Sequence, residues 1–216
     1  MIRGPDTAEP DGVDPDDVRE RLVVAALRVA AEHGLAELTV RRIADAAGTS
    51  TMSVYSRFGG RAGVLEALYR RAFAMLGDVL AAVPRPSDNH AYLIDLAMAY
   101  RSFALESPPR YSFMFGHPLA DFAPGAQLRA EALPGCFGPL VAAVRVAAGG
   151  QDAMRPAYFL WCVLHGMIGL ELADILRTPL PGWGVGTPDD GAGERMYLAG
   201  VRAMLVGLGL ADDRRA

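Results

Sequence analysis

The chain has 216 residues, 51% of them hydrophobic and 8% aromatic, which is ample material for a buried core and excludes the disordered and collagen-like classes. It carries 21 basic and 25 acidic side chains, net −4, and every basic one is an arginine. That acidic total argues against a polyanionic partner only until the charges are placed along the chain. Two cysteines, Cys136 and Cys162, are too few for a disulfide framework or a thiolate zinc site.

Residues 1–14 read as a flexible acidic tail. It has neither the basic start nor the apolar stretch of a signal peptide. The longest nearly uncharged run, 157–170, falls short of the roughly 20 residues a membrane span needs. A soluble, cytoplasmic protein with no membrane partner is therefore expected. Apolar residues recur at three- and four-residue spacing and alternating strand patterns are nearly absent, so the predicted class is all-α. Pro15 opens a first helix with Val18, Leu22, Ala25, Ala26 and Val29 on one face, and Gly34 stops it. Thr39 can cap a second helix that ends at Gly48. Ser50 can cap a third over 51–58, broken by Gly59 and Gly60, and a fourth runs over about 61–83. Helices are then predicted over about 89–106, 111–115, 127–148, 152–176 and 193–208, with a proline- and glycine-rich loop over 177–193.

The window 38–71 carries the chemistry. A short helix, a glycine, a second short helix and a Gly-Gly break give helix-turn-helix spacing. Apart from Val54 and Phe58, the third helix presents small or hydrogen-bonding side chains, a face better suited to a groove than to a core. Its first residues, Thr51, Met52 and Ser53, are the candidate base readers. Thr39, Arg42, Tyr55, Arg57 and Arg61 are the candidate phosphate contacts, aided at Thr39 and Arg61 by helix N-terminal amides. On spacing alone, a small helical subdomain with a polar surface remains open.

The run from Leu38 through Ile43-Ala44, Ala47-Gly48, Val54-Tyr55 and Phe58 to Arg61 resembles the DNA-binding head of the tetracycline-repressor-like (TetR) transcriptional regulators. The resemblance covers about residues 15–71. Thr49, Val54, Arg57 and Arg61 stand where that family usually has valine, leucine, histidine or tyrosine, and lysine. Gly63, inside the fourth helix, costs about 1 kcal/mol relative to alanine and has no reason visible in the sequence. Farther on, Trp161, His165 and Gly166, with the preceding 109–116 stretch, are similar to the C-terminal domain of a TetR subgroup named for a Trp-His-Gly motif.

That resemblance implies a head over 15–61 and a larger helical domain over 62–210 that forms a homodimer and holds an effector. Phe103, Tyr111, Phe115, Trp161 and His165 are its candidate effector contacts. Trp161 and His165 lie one turn apart and read either as a polar contact beside an aromatic wall or as core, with the histidine bonded to a backbone carbonyl. Gly166 and Gly169 permit close approach of another helix. With the apolar stripe Tyr197, Val201, Met204, Leu205 and Leu208, they are the candidate dimer contacts.

These readings combine into a dimeric regulator, most simply a repressor, that reads a near-palindromic double-stranded operator and is released by a small apolar or aromatic effector. The alternative is a helical partner-binding dimer with little DNA affinity. An enzyme is disfavoured. His33, His90, His117 and His165 form no ligand pair at four-residue spacing, and no nucleophile motif or phosphate loop is present, so no catalytic residue, metal or cofactor is predicted. By segment, residues 1–37 hold four basic and nine acidic groups, 38–71 hold six and two, and 72–216 hold eleven and fourteen. The candidate DNA-facing stretch is thus positive, and all its cations are arginine forks suited to phosphate and base edges.

Overall fold

The computed structural model describes residues 15–116, 122–150, 152–175 and 191–211. The acidic tail and the greater part of the predicted 177–193 loop lie outside the described residues. All regular elements of any length within them are helical: α1 Pro15–His33, α2 Val40–Ala47, α3 Thr51–Phe58, α4 Arg61–Ala81, α5 Asn89–Glu106, α6 Pro108–Phe115, α7 Ala126–Ala147, α8 Met154–Leu172 and α9 Ala192–Gly207. A single 3-10 turn, Leu35–Glu37, joins α1 to α2.

The chain divides into two compact units, and the first takes in the opening residues of α4 as far as Leu68. Its core is Leu22, Ala26, Leu38, Ile43, Val54, Val64 and Leu65, each fully buried. Helices as short as α2 and α3 are marginal alone, so end contacts matter. Thr39 and Ser50 cap them through the Arg42 and Ser53 amides. Gly48 and Gly59 end them in left-handed conformations (φ 64° and 70°) that a side chain disfavours.

In the second unit, buried side chains of α5 to α9 close one core around Leu93, Phe103, Val144, Leu160, Ile168 and Leu205. α7 is long and apolar enough to cross a bilayer by length and composition. Here it packs Leu128, Cys136, Leu140, Val141 and Val144 into the unit. Pro134 and Pro139 interrupt its hydrogen-bond ladder, because neither offers an N–H to the carbonyl four residues back.

Candidate functional site

In the first unit α3 carries the most exposed large apolar side chains of the head. Met52 is 72% and Tyr55 55% accessible, which a helix packed for stability alone would not show. Thr51 is exposed beside them. Ser53 is half-buried, and its hydroxyl is engaged by Thr49 at 2.9 Å and Ser50 at 3.3 Å, so it fixes the α2–α3 turn while Thr51 and Met52 stand clear.

The predicted phosphate contacts separate into two groups. Thr39, Tyr55 and Arg57 are exposed. Arg42 is exposed too, but its Nη1 is held by the Glu37 carboxylate at 2.8 Å, so an incoming phosphate would displace that partner. Arg61 is placed differently from the expectation. Its Nε donates to the Leu38 carbonyl at 2.5 Å and its Nη2 to Leu35 at 2.8 Å, tying the 3-10 turn to the start of α4. The guanidinium is therefore a brace, and only the helix N-terminus there faces an anion in the predicted manner.

Two features escaped the sequence reading. Arg41, with its side chain 88% exposed and 3.9 Å from Asp45, is the most open cation of α2. In addition, three α1 arginines bond to the ends of the short helices. Arg28 reaches the Ala46 carbonyl at 2.5 Å, Arg21 reaches Ala47 at 3.4 Å, and Arg19 reaches Arg57 at 3.2 Å. Each places a cation on last-turn carbonyls, where the helix dipole is negative. The spacing 19, 21, 28 forms no local motif, so only the fold reveals it.

In the second unit four of the five predicted effector residues meet. Tyr111 Oη lies 2.6 Å from His165 Nδ1 and 2.9 Å from Tyr100 Oη. Trp161 Nε1 donates to Tyr100 Oη at 3.4 Å, and Phe115 packs against Tyr111, Trp161 and His165. The partner of His165 is thus a pair of phenols and not a backbone carbonyl. Phe103 lies instead beneath the Arg110 guanidinium, 3.8 Å from its ring centre. Tyr100 and Trp161 also line a narrow apolar cavity walled by leucines of α4, α5, α7 and α8 together with Cys136 and Phe137. Burial pushes the Tyr100 hydroxyl up to about 12, raises Tyr111 further and lowers His165 below its ordinary value, so this cluster is neutral at physiological pH.

The shift at His165 carries a sign. The imidazole is harder to protonate in the folded state, so below an unfolded pKa near 6.5 the unfolded chain binds more protons and stability falls with pH. Above that value this group contributes no slope. Thermal midpoints are expected to drop between about pH 7 and pH 5, and the drop is expected to flatten in His165→Gln. An unchanged slope in the variant would assign the acid sensitivity elsewhere.

The predicted dimer stripe on α9 is corrected by the fold. Tyr197, Val201 and Leu205 are fully buried in their own unit, and Tyr197 Oη donates to the Ala97 carbonyl at 3.0 Å. Met204 and Leu208 are half-buried. A periodic apolar stripe marks a covered face without saying what covers it, and here it is α5 and α8. Gly166 and Gly169 are exposed on α8, alongside Phe159, Cys162 and Leu170. The outer face of α9 is Met196, Ala199, Ala203 and Gly207.

Together these features define a class: an all-helical protein with a helix-turn-helix unit whose second short helix is built to be read from outside, followed by a larger unit with a ligand-sized apolar site. Residues 22–68 match the family described as "Bacterial regulatory proteins, tetR family", and residues 93–182 match "Tetracyclin repressor-like, C-terminal domain". An uncharacterized HTH-type transcriptional regulator of Mycobacterium tuberculosis is 27% identical over 162 residues, 73% of this chain and 72% of that one. The HTH-type transcriptional repressor AcnR of Corynebacterium glutamicum is 31% identical over 103 residues, 48% of each chain. A solved structure from Rhodococcus sp. RHA1 superposes with a TM-score of 0.67 at 24% identity, covering 92% of this chain and 98% of that one, a likeness of fold. The chain belongs to the TetR family of transcriptional regulators, and it is a DNA-binding regulator, not an enzyme.

Proposed function

We propose that this regulator is a dimeric, cytoplasmic repressor whose α3 helices enter successive major grooves of a near-palindromic operator, and which a small neutral effector releases. The observation that carries the reading is the exposed Met52 and Tyr55 on α3, within a stretch holding six arginines and two acidic residues. Thr51 and Met52 read base edges, while Thr39, Arg41, Arg42, Tyr55 and Arg57 meet phosphates, with Ser53 and Arg61 holding the frame. The head over 15–61 ends where α4 begins, and residues 62–210 hold the effector and the dimer contacts. The Trp-His-Gly segment, Trp161 to Gly166, is the motif we assign to the effector side.

A gel shift on DNA from upstream of the protein's own gene is expected to show binding that weakens steeply with salt. Tyr55→Ala is expected to weaken it about tenfold. Binding unchanged by Tyr55→Ala, or no shift for the wild type, would sink the assignment and leave a helical partner-binding dimer.

Dimerisation falls to the outer faces of α8 and α9, whose Gly166, Gly169, Ala199 and Ala203 allow helices of two copies to pack closely. Ala203→Arg is expected to yield monomers by light scattering while keeping its helical circular dichroism. A dimer that survives the arginine would move the interface off α9.

A further inference from the structure

We propose that the cavity of the second unit takes a neutral, chiefly apolar molecule bearing one hydroxyl, a phenol or an alcohol, whose oxygen accepts the Trp161 N–H and whose hydrogen goes to Tyr100 Oη. The proposal rests on the effector reading only in calling the occupant an effector. Its chemistry follows from the polar atoms the cavity offers.

None of the residues lining the cavity is charged. A carboxylate or ammonium would therefore enter among Leu76, Leu80, Leu96 and Leu164 with no counter-charge, which is prohibitive. The raised Tyr100 hydroxyl, displaced chiefly by burial, shows the same intolerance of charge. The Cys136 thiol is spent on the Leu133 carbonyl at 3.3 Å. Tyr100 and Trp161 remain as the polar groups of the wall.

Their hydrogens can be assigned. An indole N–H only donates, so Tyr100 Oη accepts from Trp161. Two arrangements then satisfy the pairs at 2.9 Å and 2.6 Å. With the His165 proton on Nε2, Tyr100 donates to Tyr111 and Tyr111 donates to Nδ1, and every phenolic hydrogen is used. With the proton on Nδ1, the chain runs backwards and leaves the Tyr100 hydrogen facing leucine side chains, the costlier defect. The first arrangement therefore holds in the empty protein. It presents one spare Tyr100 lone pair and one N–H whose present bond, at 3.4 Å, is long. A hydroxyl matches both, since it accepts and donates through a single atom. A ketone or ether satisfies only Trp161, and a hydrocarbon satisfies neither. Trp161, Leu133 and Phe137 are half-buried, so the entrance lies between α7 and α8, and α7 is the helix already weakened by Pro134 and Pro139.

The test uses the full chain with Trp183→Phe, which leaves Trp161 as the only tryptophan. Its fluorescence and its indole N–H resonance are followed while 4-butylphenol, 4-butylanisole, butylbenzene and 4-butylbenzoate are titrated. The phenol is expected to bind at least about fivefold more tightly than the anisole or the hydrocarbon, to move the indole N–H resonance, and to leave the benzoate without measurable binding. In Tyr100→Phe the advantage of the phenol over butylbenzene is expected to vanish while butylbenzene still binds, which reports an intact cavity. Benzoate binding as well as the phenol, a phenol no better than the hydrocarbon, or no binding by any probe would overturn the proposal. A parallel gel shift separates the two readings. Phenol binding without release of DNA refutes the effector role and leaves the ligand chemistry standing, whereas DNA binding with no probe bound does the reverse.

Discussion

Gly63→Ala is expected to unfold the head under conditions where the wild type is stable, with a loss of about 3 kcal/mol and loss of DNA binding. A Cβ at position 63 would lie 1.8 Å from the Phe58 carbonyl oxygen and 2.9 Å from its carbon. Both atoms are backbone, so neither can rotate away. The Gly59-Gly60 break folds the end of α3 back against the first turn of α4, and Gly63 is where the two main chains meet. Relief would require shifting α3, the helix on which operator reading depends. Urea denaturation of the variant, read alongside the gel shift, checks this. A midpoint equal to that of the wild type would show that the turn yields freely and that the glycine has no structural reason.

Arg101→Met is expected to cost about 3 kcal/mol in the second unit. The guanidinium forms two parallel bonds with Glu171, at 2.6 Å and 2.9 Å, and its side chain is only 11% exposed, against 16% for Glu171. Glu194 adds a weaker contact at 3.5 Å. Removing one partner strands a carboxylate that cannot be fully hydrated where it sits. The energy belongs to the stranded charge, not to the pair, so Arg101→Met with Glu171→Leu is expected to recover much of the loss. If the double variant is as unstable as the sum of both singles, the argument fails. Gly193 belongs to the same site, because a Cβ there would sit 2.3 Å from the Glu171 carboxylate.

Much of the architecture was legible because it is local. The capping roles of Thr39 and Ser50, the stops at Gly48 and Gly59 and the short α2 and α3 all follow from residues within one turn of each other. α5 is predicted at the bounds observed, whereas α8 is predicted a few residues too long at its C-terminal end, where no glycine or proline marks the stop. What was not legible depends on partners far apart in sequence. The Arg61 brace spans 23 and 26 residues, and the His165–Tyr111 bond spans 54. No periodicity encodes such pairs. The stripe Tyr197, Val201, Leu205 was read correctly as apolar and assigned to the wrong neighbour, since a copy of the chain and an adjacent helix cover such a face equally well. Gly63 was a cost without a cause until the Phe58 carbonyl appeared beside it.

The bonds from Arg19, Arg21 and Arg28 have a consequence for dissection of the molecule. α2 and α3 do not make a separable recognition peptide, because the groups that close their C-terminal ends reside on a helix that begins some 25 residues upstream of α2. A proteolytic cut within α1 would disarm the reader without touching a single residue that meets the operator. Transplanting the operator preference of another regulator into this scaffold would likewise leave the exposed side chains of α3 free to vary, provided the carbonyls of Ala46, Ala47 and Arg57 still find the same three guanidinium groups.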